Sequence, residues 1–432
     1  MTFDSARVRR LAATLYAYTF LTDLVLLYPV YALLFSDTGL SVWQISSLFV
    51  IWSAASTLLE VPSGAWADAV SRRLLLCLAP LVTAAAFALW VLAPSYPAFA
   101  VGFLLWGAGG ALASGSLEAL VHDELDHLGA RDRYARTMGR ARTAETLAVL
   151  ASTALAGPVL AAGGYPAVGA ASVLACLLAA AVATRFPEHR SATTPTPESR
   201  GVAAAGPGSV EDDDAELGWW ASLRGGLAEV RADRSVRAAV LLFAVVTAVW
   251  GALDEYTPLL AGDTGVARET VPALLLLLWG GVTVGGLLAP LGERLTTRGY
   301  AALLACSGIA LAIGALSGRP AGFVLVAAGF CGFQLATVLA DARLQARITG
   351  PSRATVTSLA GTVTDLGTIA VYGGYALLAT GAGNGVAFAV LTVPYLIVAL
   401  ALVVRRPGPA VPDEPHRTVA GKAPPLASRM EP

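Results

Sequence analysis

Carboxylates stand inside long apolar stretches of this chain, and five of them are the candidates to move a proton or hold a cation. Asp23 lies in Tyr18-Thr-Phe-Leu-Thr22-Asp23-Leu24, Asp254 and Glu255 follow Trp250, and Glu145 and Asp365 sit in Thr143-Ala-Glu145 and Val363-Thr-Asp365. A charge at the centre of a bilayer helix costs about 2.5–3.5 kcal/mol on insertion scales, so such acids persist where they face a partner, a cavity or an ion path. In apolar surroundings an acid can exchange its proton near neutral pH. Asp23, at the middle of its stretch, is the first candidate for a coupling proton; its alternative role is a hydrogen-bonded packing group. Asp365 stands about eleven residues into its helix, hence near mid-depth by the 1.5 Å rise. Adjacent helical residues point about 100° apart, so at most one of Asp254 and Glu255 faces a cavity squarely. Their alternative setting is a wetted outer vestibule. Glu145 lies near Arg140 and Arg142, and an ion pair is its expected role.

A second polar group closes the fourth apolar stretch in Ser114-Gly-Ser-Leu-Glu118-Ala-Leu-Val-His122-Asp123-Glu-Leu-Asp126-His127. Glu118 with His122, and Asp123 with His127, are i,i+4 pairs that share a helix face. No third ligand follows at a fixed spacing, so a metal site is not expected; these acids should instead meet Arg72 and Arg73. Aromatics at Tyr16, Tyr28, Tyr31, Trp106, Trp250 and Tyr256 accompany the acids. Aromatics near helix ends usually anchor at the interface, but Trp106 is mid-stretch and is the best candidate for a cavity wall. No phosphate-binding loop, nucleophile elbow or metalloprotease helix is present, so neither an enzyme nor an ATP-driven pump is indicated, and no cofactor is expected.

The elements that position these residues must be membrane helices. The chain has 432 residues, 56% hydrophobic and 14% charged, against about 25% charged in soluble domains. Stretches of 18 or more apolar residues can each cross a hydrocarbon core of about 30 Å. Twelve are predicted, at about 11–35, 42–63, 74–93, 97–121, 141–162, 165–184, 238–261, 271–290, 300–317, 320–341, 354–380 and 385–404. Placing the N-terminus in the cytoplasm puts 27 of the 29 Lys and Arg on that side and leaves Arg268 and Arg319 outside. The positive-inside rule therefore predicts both termini in the cytoplasm. The net charge of −1 gives no reason to expect nucleic acid. The four cysteines all fall within spans and read as small core residues. The first apolar run is too long for a cleavable signal and serves as the first helix.

The chain also repeats. Phe35-Ser-Asp37-Thr38-Gly39-Leu-Ser41 matches Ala261-Gly-Asp263-Thr264-Gly265-Val-Ala267 at an offset of 226, Asp68 and Arg73 match Glu293 and Arg298 at 225, and the Glu145 and Asp365 segments match at 220. A near-constant offset argues for two duplicated six-helix units. The expected organisation is a bundle over 1–185, a cytoplasmic linker over 186–236, a second bundle over 237–406 and a disordered tail over 407–432. Residues 186–216 carry Pro, Ser, Thr, Gly and an acidic run, which argues for disorder. Residues 217–236 read as an amphipathic helix lying at the membrane interface.

Between the second and third spans stands Gly64-Ala-Trp-Ala-Asp68-Ala-Val-Ser71-Arg72-Arg73-Leu-Leu. This pattern resembles the cytoplasmic loop signature of the major facilitator superfamily, with Ser71 where that family usually has a second Gly. The resemblance, which covers nearly the whole chain apart from linker and tail, implies two pseudo-symmetric six-helix bundles around a midplane site, with spans 1, 4 and 7 lining it. It also implies a latch, for which Gly64, Asp68, Arg72, Arg73, Glu118 and Glu145 are the candidates. Gly157-Pro158 resembles a fragment of the bend motif of superfamily antiporters, although Thr153 replaces an expected Gly; an ordinary proline kink is the alternative. The expected function is a proton-coupled exporter of small amphipathic or drug-like molecules, acting as a monomer in the plasma membrane. A nutrient symporter or uniporter is the rival within the class, and a non-transporting sensor or scaffold the rival outside it.

Overall fold

The computed structural model describes residues 2–189, 231, 233–348 and 353–404, with 2–5, 60–69 and 354 described by backbone alone. The latch candidates Gly64 and Asp68 fall in the stretch described by backbone alone, and the segment 190–230 with most of the proposed amphipathic helix, and the tail from 407, lie outside the described residues. Among the described residues all regular structure is helical.

The first half holds α1 (Thr2–Asp23), α2 (Tyr31–Asp37), α3 (Val42–Ala69), α4 (Arg72–Leu92), α5 (Tyr96–Ala113), α6 (Ser116–His127) and α7 (Tyr134–Ala183). The second holds α8 (Arg234–Asp254), α9 (Thr257–Gly262), α10 (Val271–Leu287), α11 (Ala289–Gly292), α12 (Thr297–Leu316), α13 (Phe323–Arg347), α14 (Arg353–Ala382), α15 (Asn384–Val390) and α16 (Val393–Val404). Nine described helical stretches are long and apolar enough to cross a membrane. One of them, Arg131–Ala183, runs 53 residues, about 80 Å at helical rise and enough for two crossings. It folds back at Gly163 (φ −151°, ψ 16°) and Gly164 (φ 64°, ψ −165°). Counting the broken pair α1–α2 and α14 as spans 1 and 11, the path fits twelve crossings.

Burial is arranged for a lipid solvent. Leu92, Leu287 and Val404 are 83%, 75% and 69% exposed, while Tyr18, Tyr256, Tyr300, Tyr372, Tyr375 and Tyr395 are almost wholly buried. Large apolar side chains facing outward while tyrosines turn inward mark a membrane-facing surface. Each buried tyrosine hydroxyl needs a partner: that of Tyr18 donates to the Leu76 carbonyl (3.2 Å), that of Tyr300 to Ala336 (3.0 Å) and that of Tyr395 to Val246 (3.1 Å).

The repeat has a structural cause. One Asp-Thr-Gly segment ends α2 and the other follows α9, with related turns. Thr38 Oγ1 donates to the Leu34 carbonyl (2.6 Å) and Thr264 Oγ1 to that of Ala261 (2.7 Å). Gly39 (φ 92°) and Gly265 (φ 77°) then take the left-handed conformation that lets the chain reverse.

Candidate functional site

The helix that opens each half is broken, and the acids stand at the breaks. α1 ends at Asp23, and α2 begins at Tyr31 after a turn closed by the Tyr31 N–H to Leu27 carbonyl bond (2.8 Å). Pro29 explains part of this interruption, because proline lacks a donor and restricts the residue before it. The freed Leu27 N–H donates to Ser172 Oγ (3.1 Å) on the second arm of α7. In the other half α8 ends at Asp254, and α9 follows two residues later. Thr257 Oγ1 donates to the Asp254 carbonyl (2.6 Å). The 226-residue offset sets Tyr28 and Pro29 opposite Asp254 and Glu255, so the two breaks are pseudo-equivalent.

A cavity of about 220 Å³ lies where the breaks face one another, with Tyr28, Trp106, Asp254, Glu255 and Trp279 among its lining. A second, of about 270 Å³, adjoins it at Val149 and Trp279 and is lined by Asp23 and Glu145. Trp106 belongs to a rigid wall: Tyr28 stacks on it at 5.3 Å, Trp52 at 5.2 Å and Phe103 at 5.9 Å between ring centroids. Asp365 does not line either cavity; its carboxylate accepts from Thr57 Oγ1 (3.5 Å) and so joins α14 to α3 of the other half. Tyr31 lines the first cavity, whereas Trp250 donates to Thr337 (3.0 Å), Tyr256 is bonded to Ser46 (2.7 Å) and Tyr16 packs in a separate cluster.

The end of the bundle at Asp37 is sealed across the halves. Asp37 accepts from Arg268 (2.7 Å) and from the Tyr165 hydroxyl (2.6 Å). Its counterpart Asp263 accepts from Asn384 (2.8 Å), which in turn accepts from the Tyr375 hydroxyl (2.7 Å). Beneath this layer Phe49 meets Tyr256 and Tyr372 at 5.2 and 5.5 Å. Gly157 lets α7 approach the other half's backbone: an ideal Cβ there would sit 2.4 Å from the Glu269 carbonyl oxygen. The sharp reversal in α7 is at Gly163–Gly164, while Pro158 remains within the helix.

The opposite, arginine-rich end carries the ion pairs of the first half. Arg72 binds Asp123, and Arg142 reaches Glu145 (3.4 Å) and Glu118 (3.8 Å). Glu118 thus meets Arg142 rather than the arginines after α3, and Arg73 is exposed. Ser71 caps α4 by accepting from Leu74 N–H (3.1 Å). Glu188 accepts from the Ser71 hydroxyl and from the Arg72 N–H (2.8 Å). His189 bonds the buried Glu124 (2.9 Å) and stacks on His127 (4.3 Å), and Phe186 packs edge-on to Tyr18 at 5.6 Å. Residues 186–189, which composition assigns to the linker, are therefore docked on the first bundle. Sequence reasoning also missed Trp279, Arg268 and Tyr165. Trp279 had a signal, a lone Trp in the middle of a Leu-rich span; Arg268 had one too, as one of two basic residues on its side.

Solved structures share this fold. The nucleoside transporter NupG superposes with a TM-score of 0.68 at 12% identity, covering 91% of this chain and 98% of that one. A bacterial homologue of the human lysosomal transporter Spinster gives 0.62 at 16%, covering 94% and 95%, and a D-xylose–proton symporter 0.61 at 15%, covering 92% and 97%. No curated protein sequence matches the chain. The family model of the Major Facilitator Superfamily matches residues 13–372. With two broken-helix halves facing each other across an acid-lined cavity, and a match of that extent, this chain belongs to the major facilitator superfamily: it is a multi-pass membrane transporter, not an enzyme.

Proposed function

We propose that the chain is a proton-coupled secondary transporter that exports small amphipathic molecules from the cytoplasm across the plasma membrane. The observation that carries this reading is the placement of Asp23, Asp254 and Glu255 on cavities between the two halves, beside helix breaks. A buried acid that alternates between a neutral and an ionised form, on opposite sides of the membrane, is what coupling to protons requires. Discontinuous helices facing a midplane site are a recurrent device of secondary transporters. The arginine-rich end is read as cytoplasmic from the positive-inside rule. The Asp37–Arg268 seal then lies outside, and the chain faces inward. Arg72, Asp123 and Arg142, together with Asp68, form the latch that rearranges when the halves rock.

The test is transport by the purified full chain in vesicles with an imposed pH gradient, against a panel of solutes. Accumulation driven by protons moving opposite to the solute supports export. Accumulation in the same direction as protons makes it a symporter instead, and gradient-independent equilibration makes it a uniporter. Absence of flux for every solute, in protein that remains folded, favours a sensor or scaffold.

A further inference from the structure

The cavity at the helix breaks has a lining that selects the charge and shape of its occupant. Asp254 and Glu255 both line it, and among the described residues neither carboxylate is bonded to another side chain. No Lys, Arg or His is part of the lining. In the adjoining cavity Asp23 is likewise unbonded, whereas Glu145 already holds Arg142. Two ionised carboxylates at this depth require a positive counter-charge, and the protein supplies none among the residues lining their cavity.

Trp279 is the second, independent observation. It lines both cavities and packs against no other ring among the described residues, unlike Tyr28, Tyr31 and Trp106. Part of its indole packs on the apolar core, and where it borders the cavities no aromatic ring lies against it. An unstacked indole beside unpaired carboxylates is suited to a flat cation, through stacking and attraction of the charge to the ring.

The threonines of the lining do little for a neutral polyol. Thr153 and Thr257 commit their hydroxyl protons to the carbonyls of Val149 (2.8 Å) and Asp254 (2.6 Å). Thr146 and Thr283 of the adjoining cavity do the same toward Arg142 (3.0 Å) and Trp279 (2.9 Å). Besides these the first cavity offers as donors the Tyr28 and Tyr31 hydroxyls and the Trp106 and Trp279 indole N–H groups, all of them on ring edges. A bare metal ion is poorly served too, since the described residues contain no group of three metal-binding side chains. The volume of about 220 Å³ is below the roughly 300–1,000 Å³ of drug-sized sites and suits one or two fused rings.

We propose that this cavity binds a small, flat organic cation, its charge held by Asp254 and Glu255 and its ring laid on Trp279. This rests on the transporter reading only for what happens after binding, so equilibrium binding and transport are measured separately. The probe is radiolabelled N-methylquinolinium, bound to the purified full chain with no gradient. The comparison ligands are neutral 1-naphthamide, anionic 1-naphthoate and the saturated cation N,N-dimethylpiperidinium. N-methylquinolinium should bind at least about tenfold more tightly than either uncharged or anionic isostere, the discrimination expected of one desolvated charge interaction. Trp279→Leu should weaken it roughly threefold to thirtyfold and leave the saturated cation within about twofold. Asp254→Asn and Glu255→Gln should each weaken both cations. Should these variants misfold, the unmodified chain still decides the matter: N-methylquinolinium should protect Asp254 and Glu255 from labelling by a carbodiimide. Equal binding of the neutral isostere, or labelling that the cation does not slow, overturns the assignment. Proton-driven transport of a neutral or anionic solute without cation binding overturns it while leaving the transporter intact. Cation binding without flux of any solute supports it and overturns the transporter instead.

Discussion

At the scale of the residue, the acids divide by what they touch. Glu145 is tied to Arg142 and Asp365 to Thr57, while Asp23, Asp254 and Glu255 are left to a cavity. An acid with no partner can change its proton without breaking a bond, which favours Asp23 over Asp365 as the coupling residue. Asp23→Asn should abolish accumulation driven by a pH gradient yet permit solute counterflow in reconstituted vesicles; full gradient-driven transport by the variant would move the proton site elsewhere. Ser71 is a simpler case. It stands where the family pattern has glycine, and its hydroxyl caps α4. Ser71→Ala should lower thermal stability by about 1 kcal/mol, the usual worth of an N-cap, and an unchanged melting curve would deny the cap its role. Asp23, Asp254 and Glu255 are legible in the sequence because charge in an apolar run is conspicuous. Trp279 is a fainter signal, a lone Trp in a Leu-rich span, and its lack of a stacking partner emerges only from the structure.

At the scale of the element, hydropathy locates the spans well and their continuity poorly. It averages over a window, so it sees α1 and α2 as one stretch and α8 and α9 as another. The breaks depend on a few residues, such as Pro29 and the Ser172 hydroxyl that takes up the Leu27 donor. The second contact spans 145 residues and no local pattern announces it. The Asp-Thr-Gly turns are visible as a repeat, and the left-handed glycines that close them emerge only from the backbone. They permit a paired measurement. An ideal Cβ at Gly39 would have nothing within 4 Å, so Gly39→Ala meets only backbone strain, about 1–2 kcal/mol. Gly139 is also open but lies within α7, and Gly139→Ala should add up to about 1 kcal/mol through helix propensity. Thermal unfolding in detergent should move in opposite directions for the two; a shift of the same sign would mean that the turn geometry is not what requires Gly39.

At the scale of the whole molecule, the contacts at Asp37 join the two halves at one end, and on the proposed reading they set which face of the cavity is open. The Arg268–Asp37 pair is partly exposed, at 44% and 31%, and such pairs are worth about 0–1 kcal/mol. Arg268→Gln should therefore shift the balance of the two states by no more than about fivefold toward opening at that end. Gly157 should matter more, since a side chain there collides with the Glu269 backbone. Gly157→Leu should hold the seal open, and pulsed electron-spin distances between labels at Ser41 and Glu269 should lengthen for most molecules. Unchanged distances would place the closing contact elsewhere. The duplication, the charge alternation and the family are readable from sequence because they are spread over many residues. The seal is not, since Tyr165 and Arg268 stand 128 and 231 residues from Asp37.

The short reversals at the sealed end have a practical corollary. Between α2 and α3, at the fold in α7, and between α14 and α15, the chain turns within one to four residues, too little for a protease to grip. Arg268 is the one trypsin-cleavable residue on the end that the positive-inside rule places outside, because Arg319 precedes Pro320, and Arg268 is held by Asp37. Trypsin added outside sealed vesicles should therefore spare molecules inserted with this end outward and cut those inserted the other way. The surviving full-length fraction reads out insertion orientation directly, with no tag and no antibody.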